Sequence, residues 1–220
     1  MITSHQKYLE FIKSNHLDQD VVRIANKLDE DFEGNYIGLD VLVVGCNEDP
    51  FANVLSELGA NVIGLDLREY SNTELSTGWE KPLYEHIVGD AVTYNFDKKF
   101  DLCVSISVVE HIGLGWIQYG GVVDEMGDAI AMRNMASALK DSGNIYITVP
   151  IGGSWKVTPH WRRYTLDTIS RLIGDSEELH RVYFATSYNG SGTCTQKEVE
   201  EYHSSTDISI LLKLGIKNGI

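Results

Sequence analysis

Apolar residues return along this chain in two alternating rhythms. Val21, Ile24, Ala25 and Leu28 fall at i, i+3, i+4 and i+7, which predicts a helix with one apolar face inside the first 38 residues. Tyr8, Phe11 and Ile12 form a weaker face before it. The rhythm then changes. "VLVVG" (41–45) is a short β-branched run suited to a strand covered on both faces. Asp49 and Pro50 supply an N-cap and a proline for a first helical position. Phe51, Val54, Leu55 and Leu58 give the following helix its stripe, and Gly59 ends it. "NVIGLD" predicts a second strand, "HIVGD" a third after a looser stretch with Gly78 and Pro82, and "FDLCVSIS" a fourth. Ala131, Met135, Ala138 and Leu139 mark a helix to about Lys140, closed by "DSGN", and "IYITVP" predicts a fifth strand.

"YTLDTISRLIG" then predicts a short helix with Leu166, Ile169 and Ile173 on one face and Gly174 behind. "RVYFATS" and "DISILLKLG" are two late strands, expected to pair antiparallel with each other. The polar stretch 188–206 between them is a candidate lid or homodimer element. Alternating strands and helices followed by a hairpin predict an α/β, Rossmann-like open sheet. It should be mostly parallel, with a C-terminal antiparallel hairpin and helices on both faces. Residues 1–38 form a helical annex and residues 39–220 one structural unit.

The 220 residues suffice for one buried core, and 43% hydrophobic with 23% charged residues is ordinary for a globular protein. No apolar stretch reaches the ~18 residues that span a bilayer, and the start "MITSHQKYLE" has no signal-peptide pattern. Cys46, Cys103 and Cys194 lack metal-type spacing. A cytoplasmic protein with no membrane partner is expected. The net charge of −14, with 32 acids against 18 bases, argues against a nucleic-acid partner and for a small molecule.

Ligands of open parallel sheets bind beyond the carboxyl ends of the strands, so the loop after "VLVVG" and the ends of strands two and four should share a site. Asp66 lies 21 residues after Gly45, the separation at which a carboxylate reaches ribose hydroxyls. The alternative is a solvated strand-end aspartate. A dinucleotide needs several glycines around its pyrophosphate, whereas this loop reads Cys46, Asn47, Glu48, Asp49, Pro50. Its acids repel a diphosphate. They suit S-adenosylmethionine, which carries adenosine without phosphate and a sulfonium cation.

Over about residues 40 to 216 the chain resembles the class I methyltransferases that use S-adenosylmethionine. "VLVVGC", "VIGLD", "IVGDA" and "FDLCVSISVVEHI" are similar to the family's first four motifs in order. "ALKDSGNIYITVP" is similar to the next helix and strand, and "WRRYTLDTISRLI" to a segment of members acting on sugars and other small molecules. "EHIGLG" followed by "YGG" resembles a less characterised branch. The resemblance implies a cofactor site built from Gly45, Cys46, Asn47, Glu48, Asp66, Leu67, Asp90, Ala91, Ser105 and Ser107, with S-adenosylhomocysteine as product. Asp66 would bind the ribose hydroxyls, and Asp90 would face the adenine amino group beside Ala91. Two departures stand out. Val43 occupies the place of an acid that usually contacts the ammonium, and Asn47 that of a glycine.

Methyl transfer needs alignment and a nucleophile relieved of its proton. His111, just past strand four beside Glu110, is the first candidate general base; the alternative is that it only shapes the pocket. "GGSWKVTPHWRRY" (152–164) adds His160 as a reserve base. In the same stretch Arg162 and Arg163 are candidates to grip an anion, and Trp155 and Trp161 to stack on a sugar. Alternatively the arginines pair with nearby acids such as Asp167 and the tryptophans pack. The acids and histidines of 110–128 lack ligand spacing, so no metal is expected. The expectation is methyl transfer to a small polar acceptor, an oxygen of a sugar or sugar phosphate being favoured, with Glu110 on the acceptor side. The rival readings are a non-catalytic scaffold module and a nicotinamide or nucleotide-sugar enzyme.

Overall fold

The computed structural model describes residues 19–47, 50–70, 81–115, 121–173, 184–186, 192–194 and 208–215. The expectations for Tyr8, Phe11, Ile12, Glu48, Asp49, Gly78, Gly174 and most of 188–206 lie outside the described residues. Four helices are described: α1 (Gln19–Phe32), α2 (Phe51–Glu57), α3 (Gly127–Ser137) and α4 (Leu166–Ile173). The strands are β1 (Asp40–Val44), β2 (Asn61–Asp66), β3 (Glu85–Val88), β4 (Phe100–Ile106), β5 (Leu139–Ile151), β6 (Lys156–Val157), β7 (Arg162–Arg163), β8 (Phe184–Thr186), β9 (Gly192–Cys194) and β10 (Ile208–Gly215).

Six strands form one sheet in the order β10-β5-β4-β1-β2-β3. β1 to β5 run parallel and β10 runs antiparallel beside β5. Successive strands step outward from β1 through β2 to β3, then cross back to β4 and β5. The order therefore reverses between β1 and β4, and the crevice at that reversal opens at their carboxyl ends.

Side chains alternate across β1 and both faces are covered. Val41 and Val43 join the core under α1 and α2, with Leu28, Phe51, Leu55 and Tyr146. Leu42 and Val44 join the core under α3 and α4, with Met132, Met135, Ile169 and Leu172. Burying each such side chain contributes about 1.5–3 kcal/mol, which is why the strand sequence is apolar throughout and not alternating.

Helix α1 buries Val21, Ile24, Ala25 and Leu28, the four residues of the predicted face. It is also pinned by two acids eleven residues apart, three turns and hence one side of the helix. Asp20 accepts the hydroxyls of Ser107 (3.0 Å) and Ser209 (2.5 Å). Asp31 accepts Tyr146 Oη at 2.5 Å and Lys213 Nζ at 2.8 Å. Burial pushes the Asp31 carboxyl up, but the bonds from Lys213, Tyr146 and Lys27 outweigh it and hold the group below its usual range.

Three expectations change. The last strand pairs with β5, Ile208 opposite Ile151 through Gly215 opposite Asn144; among the described residues β8 lies against it without a shared ladder. The antiparallel hairpin is present but is β8 against β9. A long apolar strand is stabilised more by a full ladder beside β5 than by a short neighbour. Helix α3 ends at Ser137, and Leu139 already belongs to β5, which runs on through "DSGN". The pairing jumps from Phe100–Leu139 to Leu102–Asn144, so the polar residues 140–143 are a bulge and not a stop. Pro50 sits one position before the first residue of α2, with no side-chain cap. No helix among the described residues is long and apolar enough to cross a membrane.

Candidate active site

A cleft opens at the reversal point and encloses about 870 Å³ of empty space, its open mouth included. The carboxyl ends of four parallel strands build its floor: Gly45 after β1, Asp66 to Arg68 after β2, Gly89 to Ala91 after β3, and Ser107 after β4. His111 to Gly113 and Val122 form the far rim.

Gly45 is needed where it stands. Its φ is +79°, and a Cβ there would meet Val108 Cγ2 at 2.2 Å. The bare backbone lets a ligand lie against β1. Ser107 has a φ of +50°, unusual for a residue with a side chain. Its N–H donates to Thr148 Oγ1 at 2.9 Å and its hydroxyl to Asp20, so α1 fixes a residue of the cleft wall.

Asp66 is buried, its side chain 4% exposed. Oδ2 accepts the N–H of Asn47 at 3.1 Å, and Oδ1 accepts the Arg68 N–H and Nε, both at 3.0 Å. Arg68, absent from the sequence expectation, thus brings a cation into the cleft. An arginine two positions past the strand-end acid was the available signal. Asp90 is on the wall, but its oxygens already order the loops around it: Oδ1 accepts Val92 N–H at 2.8 Å and Oδ2 accepts Val122 N–H at 2.7 Å. Leu67 and Ala91 also line the cleft.

Three of the expected cofactor residues do not face it. The Cys46 thiol turns away to His86 Nδ1 at 3.5 Å and packs over Gly64 beside the Tyr84 ring. Asn47 acts on Asp66 through its N–H and on the Glu69 carbonyl through its amide. Ser105 is fully buried within β4. Glu48 lies outside the described residues.

The 3-10 turn Val109–His111 follows β4 and separates its two polar residues. His111 lines the cleft with its side chain 34% exposed. Glu110 points inward, 5% exposed, its Oε1 3.9 Å from His111 Nε2. It backs the imidazole from outside the cleft lining. His111 Nδ1 is bonded to the backbone carbonyl of His160. His160 is outside the cleft lining and meets the site through that carbonyl.

The two arginines lie on β7, where neighbours point to opposite faces and cannot grip one anion together. Arg162 is 1% exposed and turns into the protein. Its guanidinium donates to the carbonyls of Ile112, Asp124 and Glu125, and its Nε lies 3.5 Å from Asp128 Oδ2. Arg163 is tied to Ser154, Nη2 to Oγ at 2.9 Å. Trp155 packs on Tyr164, ring centres 5.3 Å apart, with Arg171 5.3 Å over its ring. The pairing alternative describes Arg162 better than the anion grip, but the acid is Asp128 and not Asp167. Asp128 is fully buried and also accepts Arg171 Nη2 and Tyr164 Oη, each at 3.0 Å. Burial, then the Asp128 charge, push the Tyr164 phenol well above its ordinary range. Among the described residues no group of three or more His, Cys, Asp or Glu side chains is placed to hold a metal.

Residues 42–165, which span the floor and rim of this cleft, match the family described as "Caenorhabditis protein of unknown function, DUF268". The chain belongs to the DUF268 family. The DUF268 region is overlapped by a solved fold. A Burkholderia thailandensis 1,6-didemethyltoxoflavin-N1-methyltransferase, crystallised with S-adenosylhomocysteine, covers 97% of this chain and is itself covered over 87%, with a TM-score of 0.62 and 12% identity. The Synechocystis magnesium protoporphyrin IX methyltransferase, also with S-adenosylhomocysteine, covers 90% and is covered over 83%, with a TM-score of 0.58 and 17% identity. A Leptothrix cholodnii ubiquinone biosynthesis O-methyltransferase is 30% identical over 84 residues, 36% of each chain. The match thus spans about a third of that relative's length. The DUF268 chain described here has the Rossmann-like fold of class I S-adenosylmethionine-dependent methyltransferases.

Proposed function

We propose that this chain is an S-adenosylmethionine-dependent methyltransferase acting on an oxygen of a small polar acceptor, with His111 as general base. The observation that carries the reading is the convergence of a positive-φ glycine, a strand-end carboxylate and a partly exposed histidine on one cleft at the sheet's reversal point. The residues fit the cofactor. Gly45 presents backbone that a Cβ would obstruct, Asp66 offers oxygens to the ribose hydroxyls, and Ala91 with Leu67 supplies apolar contact for the adenine. The bound cofactor supplies an electrophilic methyl group on a sulfonium.

The protein's own part is to hold, exclude water and move one proton. A carbonyl oxygen only accepts, so the His160 carbonyl requires the proton of neutral His111 to sit on Nδ1. Nε2 then carries the lone pair that takes the acceptor's hydroxyl proton. The imidazolium so formed lies beside the Glu110 carboxylate, which favours it electrostatically. A sugar or sugar phosphate is the acceptor we favour. Trp161, with Lys156 Nζ 5.5 Å above its ring, supports this. Both lie on the hairpin whose His160 carbonyl meets His111, outside the cleft lining itself.

The grip of Arg68 on Asp66 favours a second reading, a scaffold whose ribose acid is permanently engaged. Calorimetry separates the two. The enzyme binds S-adenosylhomocysteine and, in a screen of sugar phosphates with labelled donor, transfers label to an acceptor. No heat with either cofactor form would leave the scaffold.

A further inference from the structure

The hairpin of β6 and β7 reaches the loop that bears His111 at two points. At its tip Thr158 builds the turn. Thr158 Oγ1 accepts the N–H of His160 at 3.2 Å and of Trp161 at 3.0 Å, and its hydroxyl donates to the Trp161 carbonyl at 2.9 Å. The Thr158 N–H donates to the same carbonyl at 2.9 Å. This turn presents the His160 carbonyl to His111 Nδ1. On the strand just after the turn Arg162 holds the same loop from beneath through the Ile112 carbonyl, and ties it to the carbonyls of Asp124 and Glu125 at 3.4 Å each. Neither Thr158 nor Arg162 lines the cleft.

We infer that Thr158 and Arg162 are positioning residues for His111, and that the hairpin selects which of its ring nitrogens accepts a proton. The inference rests on His111 being the base. Neutral imidazole in water favours the proton on Nε2. In that tautomer the Nε2 lone pair is gone, and a base that acts through Nε2 is inactive without having moved. The His160 carbonyl reverses the preference, because only an Nδ1–H satisfies it. Its own direction is set by the turn, and the turn by one hydroxyl that bonds to two N–H groups and a carbonyl. Arg162 acts at longer reach. Its planar fork meets three carbonyls from two segments, a geometry an ammonium cannot reproduce, and so fixes the height of the His111 loop against the hairpin.

The test uses the full chain with isotope-labelled histidine. Long-range proton–nitrogen correlation spectra report the tautomer of each imidazole, and His111→Gln identifies the His111 signal. The wild-type protein should show His111 with its proton on Nδ1 alone above the titration range. Thr158→Val keeps the shape and removes the hydroxyl; it should raise the Nε2–H form to about half of the population, and Thr158→Ser should restore the wild-type spectrum. Arg162→Lys should broaden or mix the signal in the same direction. S-adenosylhomocysteine affinity should stay within about twofold in the Thr158 variants, since the cofactor floor is untouched. A Thr158→Val protein with the wild-type tautomer would overturn the inference, as would a Thr158→Ser protein no better than Val. Absence of cofactor binding by the wild type would count against the methyltransferase reading alone, because the spectra decide the tautomer without it.

Discussion

Arg68 grips the carboxylate of Asp66 from within the cleft, Nε 3.0 Å from Oδ1 and Nη2 3.3 Å from Oδ2. With the N–H groups of Asn47 and Arg68 itself, four donors meet the two oxygens, about the number of lone-pair sites a carboxylate has. Ribose hydroxyls are donors too and must compete with the guanidinium. Arg68→Ala should therefore tighten S-adenosylhomocysteine binding severalfold, while Asp66→Ala should lose most of it. Added salt weakens a partly exposed ion pair, so wild-type affinity should rise with ionic strength. Calorimetry at low and high salt checks both, and weaker binding by Arg68→Ala would mean that Arg68 holds the ligand.

Gly45→Ala meets two obstacles at once. A φ of +79° costs a side-chain-bearing residue about 1–2 kcal/mol, and the Val108 methyls stand inside the space of the new Cβ. The expected loss is about 2 kcal/mol or more in urea unfolding, with cofactor binding abolished. A neutral substitution would mean that the β1 turn differs from the one described.

Asp128, itself fully buried, joins the buried Arg162 and Tyr164 to the partly exposed Arg171. Removing one partner of a buried ion group leaves the others uncompensated. Asp128→Ala should cost about 3–5 kcal/mol, whereas exposed Asp167→Ala should stay within about 0.5 kcal/mol. Equal midpoints in urea for the two variants would dismiss Asp128 as the hub.

Asp40 sits at the opposite end of the sheet. Hydrogen bonds from Lys140 at 2.8 Å and then Lys98 at 2.7 Å hold its carboxyl at about 2. A depressed carboxyl stabilises the fold above its unfolded value, and that contribution fades as the pH falls from about 4 through about 2. Asp40→Asn should flatten this part of the acid-denaturation curve. An unchanged slope between those pH values would remove the pair from the stability account.

The strands were legible because each carries its own local signature: "VLVV" and "FDLCVSI" are apolar on both faces, and Gly59 and Pro50 punctuate the helix between β1 and β2. The β10 partner was not, since an apolar strand states that it will be buried but not beside what. The same divide runs through the site. Gly45, Asp66, Asp90 and His111 could be placed on the cleft from their position at strand ends. Periodicity and the order of motifs bring those ends together. Arg162 could not be placed, because two adjacent arginines read as one cluster until β7 sends them to opposite faces. Thr158 and the His160 carbonyl carry no sequence signal at all. Backbone groups look alike in every residue, and only the folded hairpin aims one of them at His111. Hydrophobic pattern, being local and repetitive, determined the sheet and its crevice; hydrogen-bond direction, which depends on atoms far apart in the chain, was decided by the tertiary structure alone.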